Sequence, residues 1–305
     1  MAKKETATAT TVSTPPMGIK VIAREFKKDK LAMFSLGLLI FVLLFAFIGS
    51  FILDADTVNK VSIFDRYALP GTTAVDGRYY LLGADEGGRD VFGLLVIGAR
   101  NSIMIGFLIT IITSIIGVAV GIISGYYGGV IDTVLMRIVD FIMILPILLI
   151  IIVLVTIVPK YNALSLVWIM SAFYWVGKAR LFRAKTLSES RRDYVSASKT
   201  LGTSDFKIMF FEVMPNLSSL IITNLTMNFA ANIGIETSLT FLGFGLPIKT
   251  PSLGTLISYA NNSEVITSKP WVWIPASLLI LVLMLSINYV GQAFKRSADA
   301  RQRLG

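Results

Sequence analysis

Residues 180–216 read RLFRAKTLSESRRDYVSASKTLGTSDFKIMFFEVMPN, a basic stretch set among long apolar runs. Ser190 with Asp193 three residues on predicts a helix start, after which Tyr194, Ala197, Ser198 and Leu201 share one face by helical spacing. Gly202 is a natural stop. A second short helix is predicted from Ser204 and Asp205 through Phe206, Met209 and Phe210, ending before Pro215. Two short helices at an angle make a rigid knob, too patterned for a mere connector.

On either side the chain is apolar. Of 305 residues, 54% are hydrophobic and 15% charged, and the mean hydropathy is +0.73, too apolar for an ordinary soluble domain. A bilayer core of about 30 Å needs about 20 apolar helical residues, because every backbone polar group there must be paired internally. Six segments fit: 31–53, 101–125, 141–159 (reaching back toward Val134), 161–177, 213–235 and 270–294. The expected fold is an all-α integral membrane protein with six transmembrane helices. Its parts are a basic segment 1–30, a first span 31–53, a loop 54–99, a five-helix core 100–294 carrying the basic loop 180–216, and a tail 295–305.

Charge sets the expected orientation. The side holding both termini and the 180–216 loop carries 19 Lys and Arg, the opposite side 8, so both termini are expected in the cytoplasm. The first 30 residues have no apolar core and do not read as a signal peptide. Residues 54–99 and 246–269 then face outward, either as a landing surface for a soluble binding protein or as a passive cap. The net charge of +9 is spread between apolar runs rather than gathered on one basic domain, which argues against nucleic acid. With no His and no Cys, imidazole and thiolate catalysis and metal sites of those ligands are excluded. No catalytic or metal-binding residue is assigned.

Other marks have two readings. Asn224, Asn228, Asn232 and Glu236 recur every fourth residue and form a polar stripe that should not face lipid; it either lines a translocation route or bonds to a neighbouring helix. Gly117, Gly121 and Gly125 allow close helix packing. Pro146 and Pro275 are expected to bend their spans. Arg137 and Asp140 are expected to pair at the inner interface. Trp168, Trp175, Trp271 and Trp273 fit interfacial anchoring.

The run 193–202, DYVSASKTLG, with Met214-Pro215-Asn216 after it, resembles the EAA loop of permeases of ATP-binding-cassette importers. Leu82-Gly83-Ala84-Asp85, Gly88-Arg89-Asp90-Val91, Gly98-Ala99-Arg100-Asn101-Ser102, Leu145-Pro146, Phe241-Leu242-Gly243 and Pro251-Ser252-Leu253-Gly254 add a likeness to the C-type permease of oligopeptide and dipeptide systems. The resemblance implies the type I importer permease fold with a cytoplasmic coupling helix. It further implies docking on an ATPase through Ser196, Ala197, Ser198, Gly202 and Pro215; Ser196 stands where the family name places glutamate. The implied partners are a second permease subunit, two ATPase subunits that bind the ATP and magnesium, an extracytoplasmic peptide-binding protein or lipoprotein, and bacterial membrane lipid. No Gly-x-x-x-x-Gly-Lys-Ser/Thr loop occurs in this chain, so nucleotide is not expected on it. Nickel or another solute is the alternative cargo within the resemblance, and an ion-gradient-driven transporter the alternative outside it.

Overall fold

The computed structural model describes residues 26–302, with side chains through Ser297. Most of the expected segment 1–30 and the end of the tail 295–305 lie outside the described residues. Asp29 opens α1 (Lys30–Ile52): its carboxylate accepts from the Leu31 and Ala32 amides at 3.1 Å, satisfying N–H groups that a helix start leaves unpaired. Asp90 opens α2 (Val91–Tyr127) in the same way through Phe92 and Gly93. At 37 residues α2 is about 55 Å long, well beyond a bilayer core. Residues 91–99, expected in the outer loop, are therefore helical. The rest of that loop carries a short hairpin, β1 (Thr72–Thr73) paired with β2 (Tyr79–Tyr80).

The third expected span is broken. α3 (Gly129–Ile144) and α4 (Ile147–Ile157) meet at 79°. Pro146 supplies the reason, since proline drives the residue before it out of the helical region, and Leu145 is extended at φ −70°, ψ 141°. α5 (Ala163–Phe173) has an Asn162–Ser165 capping box and is only 11 residues long. After Tyr174 and Trp175 the chain resumes as α6 (Val176–Glu189), followed by α7 (Asp193–Thr200). A further helix, 205–216, meets α8 (Ser218–Phe241) at 69°, so the fifth span begins later than the uncharged run suggested. α9 (Leu253–Ser258), α10 (Ser263–Ser268) and α11 (Pro270–Gln302) complete the chain. Pro275 lies near the start of α11, which runs on through it rather than dividing as the third span does.

Among the described residues α1, α2 and α11 are each long and apolar enough to cross a membrane. The two bent pairs raise the number to five, and α5 is a shorter apolar helix. α1 and α2 run antiparallel, with Gly49 of the first against Val96 of the second. Phe26 meets Phe294 with ring centroids 5.0 Å apart, and Arg296 pairs with Asp29 at 2.5 Å, so both ends of the described chain lie together.

α2 is the central element, and α6 lies directly on its glycine ridge. A methyl group at Gly121 would sit 2.7 Å from the Ala179 carbonyl oxygen; at Gly125, 2.6 Å from that of Arg183; at Gly117, 2.9 Å from that of Trp175. The packing role expected for these glycines is the one they have, since only hydrogen leaves room for backbone so near. Ion pairs tie α6 to α3: Arg183 with Asp132 at 2.5 Å, and Arg180 with Asp140. The expected Arg137–Asp140 pair does not form. Arg137 is exposed, while the Arg180 side chain approaches Asp140 from the neighbouring helix.

Gly121→Ala is predicted to lower the unfolding midpoint of the detergent-purified protein, by an overpacking cost of about 1–3 kcal/mol, because backbone cannot yield as a side chain can. Gly37→Ala, which meets no atom within 4 Å, leaves it unchanged.

Candidate functional site

Three places hold the residues singled out from sequence: a knob beyond the α2 C-terminus, a cavity beside the broken span, and a clamp at the opposite end of α2.

The knob grows out of α6. Ser190, expected to start the next helix, instead closes this one: its amide donates to the Thr186 carbonyl at 2.8 Å, and Arg192 takes the N-cap position of α7. α7 stops as expected at Gly202, whose φ of +81° suits glycine. The Gly202 amide donates to the Lys199 carbonyl and the Thr203 amide to the Ser198 carbonyl, both at 3.0 Å, which is a Schellman ending. The second helix passes through Pro215 to Asn216, where it was expected to end before the proline. Its middle, Ile208–Val213, is a π-helix in which the Met214 amide reaches the Met209 carbonyl, and the wider turn makes room for the ring.

Val195, Ile208, Met209 and Val213 bury the knob against Val118, Ile122 and Tyr126 of α2. Tyr126 donates to Asp205 at 2.6 Å, and the Lys199 ammonium lies 4.4 Å from the centre of its ring. Ser198 donates to Glu212 at 2.6 Å, joining the two knob helices. Of the residues expected to dock, Ser196, Ala197, Gly202 and Pro215 are exposed, while Ser198 is half-buried and holds the knob together. Sequence reading missed the apolar side chains beside them: Leu201 is 85% exposed, Phe206 63% and Phe211 69%. A leucine directly before a helix-stopping glycine was the available signal, since its face is set by the end of the helix rather than by its interior.

The stripe on α8 divides. Asn224 and Asn228 line a cavity of about 330 Å³ together with Met143, Ile147, Tyr174 and Lys178. Asn232 is buried and donates to Thr110 of α2 at 2.8 Å, a bond between helices. Glu236 is fully buried; it accepts from Thr240 at 3.0 Å and from the Ser102 and Ser252 hydroxyls, which come from α2 and the N-cap of α9. Two members of the stripe thus border a cavity in this conformation, and the other two are buried against neighbouring helices.

Ser102 and Ser252 belong to the clamp. Gly98 packs against the Ser252 backbone, Asn101 donates to the Pro251 carbonyl at 2.8 Å, and the Leu253 amide donates to Ser102 at 3.1 Å. Two motifs about 150 residues apart in sequence thus meet face to face. Above them Asp85 is fully buried: it pairs with Arg89 at 2.7 Å and accepts from Tyr259 at 2.9 Å. Burial first, and the Asp85 carboxylate second, push the Tyr259 phenol up, so it keeps the proton it donates. Among the described residues no group of three or more acidic side chains could hold a metal ion.

Broken helices are tolerated at membrane depth where they border protein or a water-filled cavity, and an integral-membrane transport component is the class of protein that this arrangement defines. The chain belongs to the family of binding-protein-dependent transport system inner membrane components, whose model matches residues 117–303. Residues 19–68 match the N-terminal transmembrane domain of oligopeptide transport permease C. The chain is 53% identical to the oligopeptide transport system permease protein OppC of Lactococcus lactis subsp. cremoris (strain SK11), over 92% of this chain and 94% of that one. It is 36% identical to the oligopeptide transport system permease protein AmiD of Streptococcus pneumoniae, over 98% and 95%. To the dipeptide transport system permease protein DppC of Haemophilus influenzae it is 33% identical, over 90% and 92%. It is a multi-pass inner-membrane permease component rather than an enzyme, with the type I importer fold.

Asp85→Asn is predicted to destabilise the clamp by about 3 kcal/mol, because it leaves the largely buried Arg89 guanidinium without its carboxylate. Tyr259→Phe removes the hydroxyl that donates to Asp85 and accepts from Arg89, and costs about 2 kcal/mol. Limited proteolysis within 54–90, together with the unfolding midpoint, measures both.

Proposed function

We propose that this chain is a permease subunit of an ATP-driven importer of oligopeptides, forming the path with a second permease. Two ATPase chains, which bind ATP and magnesium, dock on its knob. An extracytoplasmic binding protein delivers the cargo at the clamp end. Peptide cargo rests on the relatives, three of which are named for oligopeptide or dipeptide transport. The docking reading is carried by one observation: a knob fixed to α2 by a buried cluster presents Leu201, Phe206 and Phe211 to the outside. Exposed apolar side chains in a charged surround are what a partner protein covers.

Orientation follows from charge. The knob and both ends of the described chain lie at one end of the bundle, and the excess of Lys and Arg supports a cytoplasmic position for that end. The clamp end then faces outward. There Ile63 and Phe64, the latter 90% exposed, offer an apolar landing surface. The cavity bordered by Asn224 and Asn228 is a stretch of path wall, where amides match peptide backbone donors and acceptors without regard to sequence.

Leu201→Asp in the full transporter is predicted to reduce co-purification of the ATPases at least tenfold, while membrane insertion and the knob's own packing persist. A single cysteine introduced at residue 201 should react with impermeant maleimide only in inside-out vesicles and crosslink to an ATPase chain. Labelling from the outside, or undiminished ATPase recovery with Leu201→Asp, would overturn the assignment.

A further inference from the structure

Lys178 is a buried cation that neither packing nor docking accounts for. It lies at the start of α6 and is 4% exposed, and its ammonium donates to the Thr113 hydroxyl of α2. Among the described residues it pairs with no carboxylate, in contrast to Arg180 and Arg183 two and five residues further along the same helix. A buried charge whose protein partner is a neutral hydroxyl is poorly compensated, and intramembrane ionisable groups of this kind mark ligand or ion pathways.

Its surroundings supply a site. Lys178, Asn224 and Asn228 contribute to the wall of the same cavity. Two chain interruptions border it, Leu145–Pro146 between α3 and α4 and Tyr174–Trp175 between α5 and α6, and Lys178, Asn224 and Asn228 are the polar groups in an otherwise mainly apolar lining. The Asn224 side-chain oxygen is buried there with no hydrogen-bond partner. Asn228 uses one amide hydrogen on the Asn224 backbone carbonyl at 2.8 Å, which leaves its second hydrogen and its oxygen for another group.

We propose that Lys178, with Asn224 and Asn228, binds the C-terminal carboxylate of a peptide during its passage. The proposal rests on the reading above that the cargo is peptide. Peptides of varied sequence share a backbone and terminal charges, so a wall that accepts many of them has to recognise those parts. A carboxylate is a stronger partner for an ammonium than the Thr113 hydroxyl, and four rotatable bonds let the lysine exchange one for the other. Amide hydrogens of the asparagines donate to the second carboxylate oxygen, and the free Asn224 oxygen accepts from the last peptide N–H. A volume of about 330 Å³ accommodates the terminal residue rather than a whole oligopeptide.

The test uses the complete transporter, with both permeases, the ATPases and the binding protein, in proteoliposomes. Uptake of a radiolabelled tetrapeptide acid is compared with that of its C-terminal amide. Because every variant shares the same binding protein, the acid-to-amide uptake ratio relative to wild type isolates this chain. Lys178→Gln is expected to lower that ratio about tenfold, as loss of a charge-assisted hydrogen bond does. Lys178→Arg retains most of the ratio. Asn224→Leu, which leaves the cation in place, lowers the ratio about threefold and carries the test should Lys178→Gln fail to assemble. Equal loss of acid and amide uptake in both Lys178→Gln and Asn224→Leu would make these residues structural and overturn the proposal. Absence of any peptide uptake by the wild-type transporter would instead overturn the peptide reading itself.

Discussion

The contact between α2 and α6 holds the rest of the molecule in place. Lipid gives helices no hydrophobic reason to associate, so their contact has to come from close packing and from polar groups that find partners. Along Gly117, Gly121 and Gly125 the two backbones approach as nearly as side-chain-free helices can. With α6 seated there, Arg183 and Arg180 reach Asp132 and Asp140 on α3, and α7 emerges beside Tyr126. Were α6 displaced by the width of a methyl group, those pairs and the knob's buried cluster would move with it.

The polar residues of the bundle follow one rule with three outcomes. Groups at helix junctions are consumed in packing, as Asn232 is on Thr110 and Glu236 is on Ser102 and Ser252. Charged groups at the ends of the spans find opposite charges, as Asp29 does with Arg296. Those bordering the break in the third span do neither: the Asn224 oxygen has no partner, and Lys178 has only a hydroxyl. Buried polar atoms without a partner occur elsewhere too, as at Ser114, Ser171 and Thr186, but at the interrupted helices the Asn224 oxygen stands beside a buried cation and a cavity.

Much of this was legible in the sequence, for identifiable reasons. Glycine at every fourth position announces a helix seam, and Gly202 announces a stop, because each follows from the absence of a Cβ. Long uncharged runs announced α1, α2 and α11. Other features depended on what lies opposite. Arg100 interrupts the uncharged run but not the helix, so the first turns of α2 were read as loop. Asp140 had a candidate partner three residues away, and the neighbouring helix supplied a different one. The asparagine stripe divided because a four-residue spacing drifts about 40° per step on a helix, roughly 120° between Asn224 and Glu236. Periodicity shows that drift, but only the packed neighbours decide which part of it meets a cavity and which part meets another helix.

α2 also joins the two ends of the molecule. Its first half is fixed to the clamp through Ser102, Asn101 and Gly98, and its last turn to the knob through Tyr126. A continuous helix of 37 residues transmits displacement along its length with little bending, since every turn is hydrogen-bonded. Knob, α2 and clamp therefore hold together, and displacement of the other helices against them is taken up where the chain is already interrupted, at Leu145–Pro146, at Tyr174–Trp175 and at Leu217. The first two of those interruptions border the cavity of Lys178 and Asn224. The same breaks that make the cavity are thus the places where its shape can change while α2 stays straight.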